Sequence, residues 1–151
     1  MADHHVQVRQ AAPADVGAVA PLFALYREFY GKPYDEPAAA AFLQARLAQA
    51  QSVVLVAEVD GRPVGFTQLY PGFSSVSAAV IWTLNDLYVL EAARGTGAAS
   101  ALMERAEALA RGAGAAYLKL ETARDNTVAQ RLYARQGYHV EDGNLHYEKH
   151  L

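Results

Sequence analysis

The sequence contains no cysteine, which excludes disulfides, thiolate metal sites and cysteine nucleophiles together and fits a reducing compartment. It also lacks any surplus of positive charge. Thirteen Lys and Arg stand against sixteen Asp and Glu, for a net charge of −3. No global basic field exists to hold a phosphate backbone, so no nucleic-acid partner is expected. No stretch approaches the roughly 18 consecutive apolar residues of a membrane span, and the opening MADHHVQVRQ is polar where a signal peptide would be apolar. The expectation is a cytoplasmic protein with no membrane partner. The five histidines, His4, His5, His139, His146 and His150, show neither H-E-x-x-H spacing nor carboxylate support, and no metal is expected.

What is present reads as one globular domain spanning 1–151, with 52% hydrophobic and 19% charged residues. Val6 and Val8 alternate with polar neighbours, predicting a first strand over residues 5–10. Val16, Val19, Phe23, Tyr26 and Tyr30 recur at helical spacing, and Pro21 should kink or divide that helix before it ends near Gly31. Asp35 and Pro37 open a second helix carrying Leu43, Leu47 and Ala50. Val53 to Val59 and Arg62 to Tyr70 form a hairpin around Asp60-Gly61, the pair a type I′ turn favours. After a loop over Pro71 to Ser75, the β-branched and aromatic run Val76 to Leu90 predicts a central strand. Gly95 to Arg111 predicts a helix, Tyr117 to Glu121 a strand and Asn126 to Gln136 a helix. The tail reads as two short strands turning at Asp142-Gly143.

The most informative segment is Leu84 to Ser100, LNDLYVLEAARGTGAAS, where a strand enters a glycine-bearing turn that opens a helix. Gly95 and Gly97 leave room for close approach, and the first-turn amides of the helix have no intrahelical acceptor, so the spot suits a phosphate group beside Arg94. The plain alternative is an ordinary strand-to-helix turn. A P-loop is disfavoured because no Gly-Lys-Ser or Gly-Lys-Thr occurs, and a dinucleotide fold because Ser100 takes the third glycine position and too little chain follows.

Arg94-x-x-Gly97-x-Ala99 resembles the acyl-coenzyme A pyrophosphate signature Q/R-x-x-G-x-G/A of the GCN5-related N-acetyltransferase (GNAT) family. The preceding Leu84-Asn85-Asp86-Leu87-Tyr88-Val89 is similar to that family's L-x-x-L/F-x-V strand. Asn126, Ala129, Leu132, Tyr133, Gly137 and Tyr138 are similar to its N-x-x-A-x-x-L/F-Y-x-x-x-G-F/Y motif. The segments YREFYGKPYDE, VGFTQLYPGFSS and LNDLYV resemble the branch of diamine and fungal histone/polyamine acetyltransferase-like enzymes. The resemblance implies an α/β (α+β) GNAT fold. Its central mixed, mostly antiparallel sheet would have six to seven strands, flanked by about four helices and splayed between strands four and five.

It further implies acetyl-CoA as co-substrate, held at Arg94, Gly95, Thr96, Gly97, Ala98 and Ala99, with the pantetheine arm along the main chain of Leu87, Tyr88 and Val89. Asn126 would hold that arm from the other side; a helix N-cap is its plain alternative. Tyr133 would protonate the departing thiolate, since a phenol near pKa 10 and a thiol near about 8.5 exchange a proton almost evenly. The family's candidate base position holds Asn85, followed by Asp86. Strand alternation sends these two to opposite faces, so Asp86 cannot substitute without a bulge. A water chain ordered by Asn85 or the Tyr88 hydroxyl is the alternative, and the base stays unassigned. The acceptor pocket would draw on Tyr26, Tyr30, Tyr34, Asp35, Glu36, Tyr70, Phe73 and Trp82, with Asp86 beside them, an aromatic and acidic mix suited to a cationic amine. Routine burial of aromatics and helix capping explain the same residues.

These residues predict transfer of an acetyl group to a primary amine of a small molecule, a polyamine, diamine or amino-acid-like acceptor, by direct attack. A protein lysine or N-terminus as acceptor, and a non-catalytic CoA-binding regulatory module, are the competing readings. The resemblance also implies a homodimer.

Overall fold

The computed structural model describes residues 5–151; His4 of the histidine pair lies outside them. Close contacts divide the chain into two compact units, one up to Glu121 and one from Thr122 to Leu151. The first holds strands β1 (Val6–Gln10), β2 (Val53–Val59), β3 (Arg62–Ser74), β4 (Ala79–Val89) and β5 (Leu118–Lys119), with helices α1 (Val16–Phe29), α2 (Glu36–Ala48) and α3 (Ala98–Gly112). The second holds α4 (Thr127–Arg135).

The strands form one sheet in sequence order, antiparallel from β1 to β4, with β5 parallel to β4. Asp60 (φ 52°) and Gly61 (φ 74°) turn the β2–β3 hairpin in the left-handed region that Asp-Gly tolerates. Asp35 caps α2 by accepting the Ala38 amide at 3.0 Å. Register then sorts the core. Val54, Val56 and Phe66 face α1 and α2, where they pack with Val19, Phe23, Ala39 and Leu43. Alternation sends Leu55, Ala57 and Leu69, all fully buried, to the other face, where α3 packs.

Several expectations need correction. The sheet has five strands among the described residues, not six to seven. The tail past Gly137 forms no ladder, and Val140, Leu145 and Tyr147 stand exposed, so alternation there finds no partner strand. Pro21 does not divide α1. The carbonyl it leaves without an amide belongs to Gly17, which is exposed, so solvent can satisfy it. β3 continues through Pro71 to Ser74 and pairs with Ala79 to Trp82, replacing the expected loop with a long hairpin arm. α3 starts at Ala98 rather than Gly95, because Gly95 (φ 82°) and Gly97 (φ 89°) both adopt left-handed backbone.

Candidate active site

β4 carries the site because its two edges differ. On one side it pairs with β3 along its length; on the other it meets β5 only at Trp82↔Leu118 and Thr83↔Lys119. From Leu84 to Val89 no strand among the described residues pairs with that second edge. This is the splay between the fourth and fifth strands. The Leu90 amide bonds the Val64 carbonyl across to β3, so by alternation Tyr88 also turns its main chain to β3. The Leu87 main chain and the Val89 amide face the open edge, available to a ligand that runs like a strand. Gly65 lets β3 lie close here, since a Cβ on it would come within 2.9 Å of the Tyr88 carbonyl.

The chain then enters the glycine turn. The Arg94 and Thr96 amides are occupied by turn bonds to Glu91 and Ala93, and the Thr96 hydroxyl also donates to the Ala93 carbonyl at 2.6 Å. Arg94 Nε donates back to the Val89 carbonyl at 3.3 Å, tying the turn to the end of β4. No side chain caps α3. The first-turn amides of Ala98 and Ala99 therefore lack acceptors, and the space where a Cβ would sit on Gly95 or Gly97 is open. A cradle of free amides at a helix N-terminus fits a diphosphate, so these residues suit the pyrophosphate of coenzyme A.

On the other side of the same strand lies a polar chain, buried except at Asn85. Ser52 Oγ donates to Gln68 Oε1 at 2.9 Å, Gln68 Nε2 donates to Asp86 Oδ2 at 2.6 Å, and Asn85 Nδ2 donates to Asp86 Oδ1 at 2.7 Å. Asp86 is only 2% exposed. Its burial pushes the carboxyl above its ordinary value, against the two amide hydrogen bonds that favour the ionised form. The Tyr70 phenol is pushed up to about 12 by burial and by the charge of Asp86, with Arg46 acting the other way.

A β-bulge makes this grouping possible. Gln68 pairs with Asp86 and Leu69 with Leu84, so Asn85 is the extra residue. The bulge corrects the expectation that Asn85 and Asp86 point to opposite faces, because both now oppose Gln68 and their side chains bond directly. It also moves Trp82. Uninterrupted alternation would put Trp82 on the face of Asp86; with one residue inserted, Tyr70 and Thr83 share that face and Trp82 lies on the opposite one.

The face of Gln68, Tyr70 and Asp86 is walled by aromatics. Tyr26 meets Phe66 at 6.0 Å and Tyr30 at 5.0 Å between ring centroids, and its hydroxyl donates to the Asn85 carbonyl at 3.3 Å. Tyr30 is half exposed at the rim. Other expected pocket residues stand apart. Phe73 is exposed on the hairpin arm, Tyr34 donates to Glu36 at 3.1 Å, and Asp35 is spent as a helix cap.

In the second unit, Asn126 Oδ1 accepts the Ala129 amide at 3.2 Å as the N-cap of α4. Tyr133 lies on α4, its ring 6.3 Å from that of Tyr138.

Sequence reading missed Ser52 and Gln68. A polar Thr67-Gln68 pair inside an apolar strand was the available signal for Gln68; both residues are fully buried. Among the described residues no three acidic or histidine side chains group as a metal site, and no helix is long and apolar enough to cross a membrane.

The chain is 47% identical over 142 residues to the uncharacterized N-acetyltransferase YhfO of Bacillus subtilis (strain 168), covering 94% of this chain and 95% of that one. A solved probable acetyltransferase superposes with a TM-score of 0.90 at 37% identity, covering 96% of this chain and 97% of the other. A ribosomal-protein-alanine N-acetyltransferase from Brucella melitensis biovar Abortus 2308 shares the fold, with a TM-score of 0.81 at 24% identity over 97% of this chain and 99% of its own. The sequence model of the Acetyltransferase (GNAT) family matches residues 19–138. Bulge, open edge and glycine turn thus belong to an N-acetyltransferase, and the chain is a member of the GNAT family, whose enzymes use acetyl-CoA.

Proposed function

We propose that the protein transfers the acetyl group of acetyl-CoA to the primary amine of a small molecule, a polyamine, diamine or amino-acid-like acceptor, by direct attack. The observation that carries this reading is Asp86, a buried carboxylate held by two neutral amides at a bulge, on the strand whose open edge leads to the glycine turn.

Acetyl-CoA supplies an activated thioester. The amides of Gly95, Gly97, Ala98 and Ala99 hold its diphosphate with Arg94 beside them, and the main chain of Leu87 to Val89 orients the pantetheine. Backbone amides there favour negative charge developing on the carbonyl oxygen. The acceptor arrives as an ammonium, and removing its proton at pH 7 costs roughly 4 to 5 kcal/mol for a pKa of about 10.4. Asp86 attracts the ammonium and takes that proton, while Asn85 and Gln68 hold the carboxylate in place. The N–C bond forms, the C–S bond breaks, and Tyr133 delivers a proton to the sulfur. The second amine proton, lost as the amide forms, returns to the Tyr133 phenolate while the proton on Asp86 leaves to solvent. Tyr133 and Asn126 enter on their motif, and its match with the family across residues in both units supports reading the chain as a single domain. The polyamine branch rests on resemblance of short segments, a cytoplasmic location on the lack of cysteine, and a homodimer on family likeness.

A thiol-release assay with acetyl-CoA against polyamines, amino acids, aminoglycosides and basic peptides tests the reading. Small amines should turn over and peptides should not. Tyr133→Phe should lower kcat about a hundredfold with CoA affinity retained; an unchanged rate removes its acid role. CoA binding without turnover of any acceptor would make the protein a binding module instead.

A further inference from the structure

The bulge on β4 is held by two hydroxyls, one from each face of the sheet. Thr67, fully buried on β3, donates its hydroxyl to the Asp86 carbonyl at 2.7 Å. Alternation along β3 puts Thr67 on the face of Leu69, where α3 packs. From the opposite face, the Tyr26 hydroxyl of α1 donates to the Asn85 carbonyl at 3.3 Å. These two carbonyls belong to the peptide units on either side of the Asp86 Cα. Elsewhere in a strand the ladder sets such planes; a bulge disrupts it, and side-chain hydroxyls hold them here. Fixing both units fixes the backbone angles of Asp86, and with them the direction in which its carboxylate leaves the strand. The second unit also contains the Leu87 amide. No cis peptide occurs among the described residues, and in a planar trans unit the N–H points away from the C=O. By drawing the Asp86 carbonyl towards β3, the Thr67 hydroxyl therefore turns the Leu87 amide outward, to the open edge of β4.

We infer that Thr67 is a positioning residue for acetyl transfer, aiming the Leu87 amide at the thioester and the Asp86 carboxylate at the acceptor amine, with Tyr26 as its counterpart on the acceptor face. This rests on the acetyltransferase reading of the same site. Thr67 acts from a fully buried place that neither reactant reaches. The reacting carbonyl gains negative charge as the amine attacks, and a donor aimed in advance stabilises that charge without reorganising. Removing the Thr67 hydroxyl leaves the Leu87 amide in place but frees its peptide unit to rock. The loss falls on the transition state and shows in kcat.

Thr67→Val keeps the branched shape and removes the hydroxyl. Its kcat should fall about tenfold with KM for acetyl-CoA within twofold of wild type, and Thr67→Ser should restore most of the rate. A kcat within twofold of wild type in Thr67→Val, or a loss that Thr67→Ser does not repair, overturns the inference. Should Thr67→Val fail to fold, Tyr26→Phe carries the test. Its kcat should fall several-fold with KM for the amine unchanged, whereas an unchanged kcat, with or without a rise in that KM, makes Tyr26 a pocket wall and overturns the clamp. A second readout is independent of turnover. In isotope-labelled protein, NMR titration with coenzyme A should shift the Leu87 amide resonance in wild type and shift it less than half as far in Thr67→Val, with the Ala98 response kept. A Leu87 amide indifferent to coenzyme A in wild type, or equally responsive in both proteins, overturns the inference. Should no amine be acetylated, the acetyl-transfer reading fails by itself, and this titration alone decides the inference.

Discussion

Two carboxylates in the same sheet-bearing unit are hydrogen-bonded with similar care and do opposite things. Asp15, in the turn before α1, accepts the Ala12 amide at 2.7 Å and pairs with Arg9 at 3.0 Å, while Arg9 also reaches Glu58 on β2. The guanidinium holds the Asp15 carboxyl below its ordinary value, with the Ala12 amide adding to the effect. Asp86 has only neutral amides for partners, and burial dominates, so its carboxyl moves the other way. A carboxylate matched by a cation at the surface fastens a chain end and gives up its proton affinity. One held by amides in the interior keeps that affinity and can still receive a proton.

The comparison is broken most easily at the rate of acetyl transfer. Asp86→Asn should lower kcat/KM at least a hundredfold, whereas Asp15→Asn should leave it within about twofold, as steady-state kinetics on both variants would reveal. Near-equal rates for the two would put chemistry elsewhere. Gln68→Leu, which takes one donor from Asp86 and strands the Ser52 hydroxyl, should lower kcat/KM about tenfold at neutral pH and move its acid limb to higher pH. A limb that stays in place would leave Gln68 with packing alone.

Stability should rank the pair in reverse. Asp15→Asn loses the pairing to Arg9 and weakens the turn, costing about 1 kcal/mol in denaturant unfolding. Asp86→Asn should shift stability by no more than about 1 kcal/mol, because relief of a buried charge offsets one hydrogen bond lost. The pH dependences are opposite in sign. Asp15 contributes stability above the ordinary carboxylate value of 3.8, lost as pH falls towards its lowered folded value. Asp86 favours the folded state most in acid, and that contribution declines as pH rises through its raised folded value. Unfolding followed between pH 3 and about pH 7 in the two variants should separate these slopes.

Local features were legible in the sequence because their causes are local. Asp60-Gly61 sets its own turn, Asp35 and Asn126 cap the helices they precede, and the glycines ahead of α3 mark where the chain must take positive φ. The bulge was not legible, because whether Asn85 pairs or is skipped depends on β3, and that one residue reassigns Asp86 and Trp82 to different faces. The tail shows the converse, where the Asp142-Gly143 turn pair suggested two strands that lack a ladder to join.

Carboxyl-carbon NMR titration of Asp86 and Asp15 in the same sample tests the central claim most directly. The account predicts that Asp86 titrates above the ordinary carboxylate value and Asp15 below it, and that the Asp86 midpoint moves when an acceptor amine is added with CoA. An Asp86 midpoint at or below that of Asp15 would contradict it.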